Sequence, residues 1–186
     1  AHDELGLTLA NAFAYIDELI DRGLAVDDFV PKFRFFFQSN MELFEEAAKF
    51  RAARRLWAKL MRERYKAVKP ASQRMNLLAY TAGHALTMHE PLNNIARVTI
   101  EALGAVLGGV DTLTCSSYDE AFSTPSSEAM KISHRTQQII AHESGITRTI
   151  DPLGGSYYVE WLTNHIEENT MKIIDEIDKL GGAIQA

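Results

Sequence analysis

The chain has 186 residues, 46% of them hydrophobic, with 19 basic against 25 acidic side chains and a formal net charge of −6. That is enough for one domain with a real core, leaves no general cationic field for nucleic acid, and with one cysteine, Cys115, excludes an internal disulfide and fits a reducing compartment. No apolar run approaches the roughly 20 residues that cross a bilayer and no basic-then-apolar leader opens the chain, so a soluble, cytoplasmic protein without nucleic-acid or membrane partners is expected.

Ala1 to Asp3 lead into a helical pattern without a start methionine, as expected of a piece of something longer. Leu5, Leu9, Ala12, Phe13, Ile16, Leu19 and Ile20 recur every three or four residues, an amphipathic helix that Gly23 should end. The aromatic run from Lys32 to Phe37 reads as a buried strand. Asn40 is placed to cap a long helix from Met41 to about Tyr65, with Phe44, Ala47, Ala48, Ala52, Leu56 and Leu60 on one side. Its basic residues, from Lys49 through Arg51, Arg54, Arg55, Lys59, Arg62 and Arg64 to Lys66, read as a solvated face, or else as a patch facing an anion or a partner.

Met75 to Tyr80 is a second strand, with Thr81-Ala82-Gly83-His84 as its C-terminal loop. Strand alternation points Leu78 and Tyr80 the same way. A helix from about Asn93 to Leu107 follows Pro91, and a glycine pair ends it. Val110 to Cys115 is the third strand, followed by a polar loop with Asp119 and Glu120 and a helix capped by Ser126 that runs to about Glu143. The turn-rich Asp151 to Ser156 precedes a last helix, Tyr157 to Leu180, ended by Gly181-Gly182, and Ala183-Ile184 is read as the start of a further strand.

The order α, βα, βα, βα, α implies a parallel sheet with right-handed crossovers. Three strands are few for such a sheet, and eight βα units close a barrel of about 250 residues, so the fold class is α/β: roughly the second half of a TIM (β/α)8 barrel. Ligands bind at the C-terminal strand ends of such folds, which puts the loop after the third strand near the centre of any site.

The six histidines share no short metal-binding spacing, and neither a Gly-x-Ser-x-Gly elbow nor a phosphate loop is present, so no metal site is expected. Gly83 is either a turn residue with positive φ or a point where a large flat ligand comes close to the backbone. Glu120 is either a helix-leading carboxylate or an acceptor for sugar hydroxyls. Cys115 is read as an inert, barrel-lining thiol.

Ordered blocks then carry a resemblance. They are Phe35-Phe36, Ala52-Ala53-Arg54-Arg55-Leu56-Trp57-Ala58-Lys59, Thr81 with Gly83, Asn93-Asn94 with Arg97, Glu101-Ala102, Asp119-Glu120-Ala121, Arg135-Thr136-Gln137 and Asp151 to Glu160. Through them the whole chain resembles the barrel domain of the large subunit of adenosylcobalamin-dependent acyl-CoA mutases, the methylmalonyl-CoA mutase family. The resemblance implies a radical isomerisation of a CoA thioester, with the hard chemistry supplied by the cofactor and shielded by the protein. It makes residues 1–186 the C-terminal portion of the barrel, to be completed by an N-terminal barrel half that carries the catalytic histidine and by a separate small cobalamin-binding subunit or domain.

The resemblance also implies roles for single residues. Glu120 and Ala121 match positions that contact the cofactor, Glu120 as acceptor for the adenosyl ribose, with Ser123 beside them and Gly83 facing the corrin. The acyl-CoA positions match less well. Lys32 and Arg34 stand where the family carries Arg-x-Ser, and Asn76, Leu78 and Tyr80 where it carries Arg-x-His-x-Gln. Loss of those polar groups points to a bulkier or more apolar acyl group than methylmalonyl, or alternatively to a non-catalytic half-barrel kept for acyl-CoA binding or assembly.

Overall fold

The computed structural model describes residues 1–186 as three parallel strands and seven α-helices. The helices are α1 (His2–Asp21), α2 (Val26–Phe29), α3 (Leu43–Glu63), α4 (Pro70–Gln73), α5 (Asn93–Leu107), α6 (Ser127–His142) and α7 (Tyr157–Lys179). Strands β1 (Phe35–Ser39), β2 (Leu77–Thr81) and β3 (Thr112–Thr114) lie in that order, all parallel, with Phe36 beside Leu78 and Tyr80 between Gln38 and Thr114.

Pleating divides the sheet into two unlike faces. Phe35, Phe37, Leu77 and Ala79 are buried with Phe50, Leu56 and Trp57 of α3 in the main core, which α1 and α7 extend through Leu5, Leu9, Phe13, Val159 and Ile166. Phe36, Gln38, Leu78, Tyr80, Thr112 and Thr114 project from the other face, which no helix covers, and Phe36 is 61% exposed. A sheet with helices on one side only is an α/β layer that ends where a second layer or a curved continuation would begin.

Several expected boundaries move. Pro31, without an N–H and with φ fixed, sits in a 3-10 turn (Val30–Lys32), so β1 starts at Phe35 and not Lys32. Asn40 does not cap α3. Glu42 holds the N-cap position, and the Asn40 amide donates instead to Glu46 (3.2 Å). Phe44 is largely exposed, and Thr81 belongs to β2. Ala183-Ile184 lies in a turn after Gly181 and Gly182, both at positive φ, and forms no strand. Cys115 is buried but faces the helices, packing with Leu86, Val98, Ala102 and Ile140, so it does not line the open face.

The basic run of α3 is in large part a solvated face, with Arg55, Lys59, Arg62, Arg64 and Lys66 exposed, but several of its arginines also have partners within the chain. Arg51 pairs with Asp151 and Glu160, Arg55 with Glu167 and Asn164, Arg64 with Asp178, and Arg54 donates to the Gly108 and Gly109 carbonyls. The Arg51, Arg55 and Arg64 contacts fasten α7 and its preceding loop along α3, and those of Arg54 tie the end of α5 to it. Lys49 is fully buried; its ammonium donates to Glu4 (2.7 Å) and to the Gln38 carbonyl (2.7 Å) and forms an ion pair with Glu46 (2.6 Å), while Glu4 also accepts the Gln38 N–H (3.2 Å). Both backbone groups of Gln38, on the edge strand β1, are thereby satisfied by side chains of α1 and α3.

Candidate functional site

The C-terminal ends of β2 and β3 carry two loops, Ala82 to Leu92 and Cys115 to Ser126, joined by side chains that the strand-end sequence supplies. Thr81 Oγ1 accepts the Ser116 N–H (2.7 Å) and the Ser116 hydroxyl donates to the Thr81 carbonyl (3.0 Å), both buried. Asn94, fully buried at the start of α5, donates to the carbonyls of Thr87 (2.8 Å) and Tyr118 (2.8 Å) and accepts from Thr87 N–H (3.1 Å) and Arg97 (2.8 Å). One amide thus uses all of its hydrogen-bonding capacity to hold the two loops together.

Within the second loop Asp119, not Glu120, serves the following helix. Its carboxylate accepts the Ser126 N–H (2.9 Å), and its carbonyl accepts the N–H groups of Phe122 (3.1 Å) and Ser123 (3.0 Å). Ser126 then caps α6 by accepting the Ala129 N–H (3.2 Å). That arrangement frees the next side chain. The Glu120 carboxylate lies over the strand tips, with the Tyr80 hydroxyl 3.2 Å and 3.1 Å from its two oxygens and the Ser117 N–H 3.3 Å from Oε2. Burial, first of all, raises the Tyr80 pKa and the adjacent Glu120 charge adds to it, so the phenol stays protonated and donates.

Gly83 opens a 3-10 turn and does not have a positive φ, so the turn reading of this glycine is overturned. The glycine instead leaves room for a neighbour: a Cβ there would stand 3.2 Å from Glu120 Oε1, and the carboxylate would have to shift. Gly83 and the Glu120 carboxylate therefore lie against each other at the strand ends. Ala121 is half-buried and turns into the second core with Leu86 and Ile140, while Ser123 is exposed and its hydroxyl donates back to the Asp119 carbonyl (3.4 Å).

Leu78 and Tyr80 lie on the open sheet face below Glu120, and Arg34 and Asn76 immediately precede the paired residues Phe35 and Leu77. By strand rise, Asn76 is about 13 Å from Tyr80 along the sheet. Arg34 is exposed and donates to the Pro31 (3.3 Å) and Phe33 (3.1 Å) carbonyls, Asn76 donates to the Phe33 carbonyl (3.4 Å), and Lys32 lies exposed in the turn before β1.

Three residues that sequence reasoning gave no role matter here: Thr81, Ser116 and Glu101. Glu101 of α5 is fully buried with neither carboxylate oxygen hydrogen-bonded, close to Ala82 and Glu46. Burial pushes its pKa up to about 7, the neighbouring Ala82 N–H opposes the rise and the Glu46 charge adds to it. The only sequence signal for it was a carboxylate on the apolar stripe of a helix. No three His, Cys, Asp or Glu side chains are grouped to hold a metal, and no helix is long and apolar enough to cross a membrane.

Known proteins match this chain from end to end. It is 48% identical over 182 residues to the 2-hydroxyisobutanoyl-CoA mutase large subunit of Aquincola tertiaricarbonis, covering 98% of this chain and 32% of that protein. It is 44% identical over 183 residues to methylmalonyl-CoA mutase of Rhizobium meliloti (98% and 26%) and 40% identical over 183 residues to the human mitochondrial methylmalonyl-CoA mutase (98% and 24%). The chain spans about a quarter to a third of the length of these relatives. The sequence model described as methylmalonyl-CoA mutase matches residues 1–186, so every element that builds the two loops lies inside the match, and the chain belongs to the methylmalonyl-CoA mutase family.

Proposed function

We propose that residues 1–186 form the C-terminal part of the TIM barrel of an adenosylcobalamin-dependent acyl-CoA mutase, an isomerase that rearranges the carbon skeleton of a CoA thioester. The observation that carries this reading is the pairing at the strand ends of Glu120 with Gly83, a glycine that a Cβ would crowd against that carboxylate. An anionic acceptor next to bare backbone suits a flat macrocycle bearing a sugar, and the residues present fit that group. When bound, the cofactor supplies the radical that removes a substrate hydrogen atom.

The chain's own part is to bind, orient and shield. Glu120 accepts hydroxyl donors, Gly83 lets the ring system approach, and Ala121 and Ser123 hold the loop that presents Glu120. The open sheet face becomes the barrel wall once an N-terminal barrel half, carrying the catalytic histidine, closes over it, and a small cobalamin-binding subunit or domain covers the mouth. Leu78 and Phe36 give that wall an apolar stretch that keeps water from reactive species. Asn76, Arg34 and Lys32, at the far end of the face, offer donors and cations to the polar part of a CoA ester. Leu78 has no hydrogen-bonding group and the Tyr80 hydroxyl is engaged by Glu120, so the acyl group is bulkier or more apolar than methylmalonyl.

Incubating the complete assembly and cofactor with methylmalonyl-, isobutyryl- and longer branched acyl-CoA esters, and separating the isomeric products, tests both levels. Fastest turnover of a branched, less polar ester is expected. Fastest turnover of methylmalonyl-CoA overturns the substrate assignment, and no isomerisation of any ester overturns the enzyme assignment.

A further inference from the structure

The proposed role of Glu120 leaves open what fixes its carboxylate. Its neighbours are few: the Tyr80 hydroxyl, which spans both oxygens with a single proton, and the Ser117 N–H on Oε2. A carboxylate has about four acceptor sites. Two of them are used by the protein, which leaves about two, the number that a vicinal ribose diol needs. The Tyr80 ring is in turn held by the sheet, packing on Phe36 with 6.3 Å between centroids and with its backbone in register between Gln38 and Thr114. The Glu120 carboxylate is thus referenced to a rigid strand through one phenol.

We infer that Tyr80 is a positioning residue, which locks the Glu120 carboxylate in the orientation that captures the nucleoside diol, and that this task withdraws its hydroxyl from the acyl-CoA. The inference rests on the cofactor reading of Glu120 given above. Tyr80 touches neither diol nor reacting atoms in this role and acts through Glu120. Phenol and carboxylate form a charge-assisted bond whose loss frees Glu120 to turn away, so removing it should lower affinity for the ligand part that Glu120 recognises and for no other part.

The test is a corrinoid titration of the complete assembly, followed by absorbance, with adenosylcobalamin and with methylcobalamin, which has a methyl group in place of the adenosyl nucleoside. Tyr80→Phe keeps the ring and its packing, and circular dichroism checks the fold. The expected result is an adenosylcobalamin affinity about fivefold to tenfold weaker with methylcobalamin within about twofold of wild type, and no further loss when Tyr80→Phe is added to Glu120→Gln. Equal losses for both corrinoids, an unchanged adenosylcobalamin affinity, or losses that simply add to those of Glu120→Gln overturn the lock. If Glu120→Gln weakens adenosylcobalamin and Tyr80→Phe does not, the lock alone fails. If Glu120→Gln also leaves adenosylcobalamin binding intact, the reading of Glu120 fails and the lock with it.

Discussion

Thr81 and Ser116 exchange two hydrogen bonds across the ends of neighbouring parallel strands, backbone N–H to side-chain hydroxyl in one direction and hydroxyl to carbonyl in the other. This pair replaces ladder bonds just where β3 stops and its chain must leave the sheet to form the Glu120 loop. Thr81→Val keeps the shape but leaves the buried Ser116 N–H without an acceptor, at a cost of about 1–3 kcal/mol. Denaturant unfolding should show that loss, and Thr81→Ser should recover most of it.

Asn94 makes the complementary join from below. Asn94→Ala removes two donors and an acceptor from buried loop backbone, and the two loops should loosen while the sheet holds. Hydrogen exchange should accelerate at amides of residues 83–90 and 116–123 and stay near wild type at Phe37 and Ala79. Uniform acceleration would mean that Asn94 supports the whole domain and not the site.

Glu101 makes stability depend on pH in an unusual direction for a carboxylate. Its folded pKa of about 7 exceeds its ordinary value of 4.5, so the folded chain keeps a proton that the unfolded chain sheds. The contribution is complete below about pH 4.5 and is lost as pH rises through 7, on the order of 3 kcal/mol in all. Urea unfolding at pH 5, 6 and 7.5 should show declining stability, and Glu101→Gln should flatten the decline. A slope that survives this substitution would assign the effect to another group.

Two glycines should respond to alanine in opposite ways. Gly23 ends α1 at φ +88° with nothing near its missing Cβ, so Gly23→Ala should destabilise the fold by about 1 kcal/mol through backbone strain alone. Gly83 has no such backbone constraint, so Gly83→Ala should leave unfolding nearly unchanged, yet displace Glu120 and weaken adenosylcobalamin binding by the complete assembly. A large stability loss at Gly83 would place its importance in the fold.

Periodicity made the long helices legible because their stripes are continuous and their ends carry local signals: Gly23 after α1, Ser126 before α6, Gly181 after α7. The strands were placed to within two or three residues, and the shifts trace to single effects such as Pro31 turning the chain before β1. The site was legible only in part. Glu120 and Gly83 stand out as members of a family motif, but the reason for the glycine, a neighbour 37 residues away, is tertiary. So is the fate of the basic run, since nothing in the α3 sequence announces that its arginines face acidic residues about 100 positions later.

The plug of Glu4 and Lys49 around Gln38 also bears on how a partner segment is admitted. A strand arriving at the outer edge of β1 finds both backbone groups of Gln38 already bonded, and to pair there it must displace the buried Lys49 ammonium from the carbonyl and the Glu4 carboxylate from the N–H. Promiscuous strand addition, the usual hazard of an edge strand, is thus blocked at this rung.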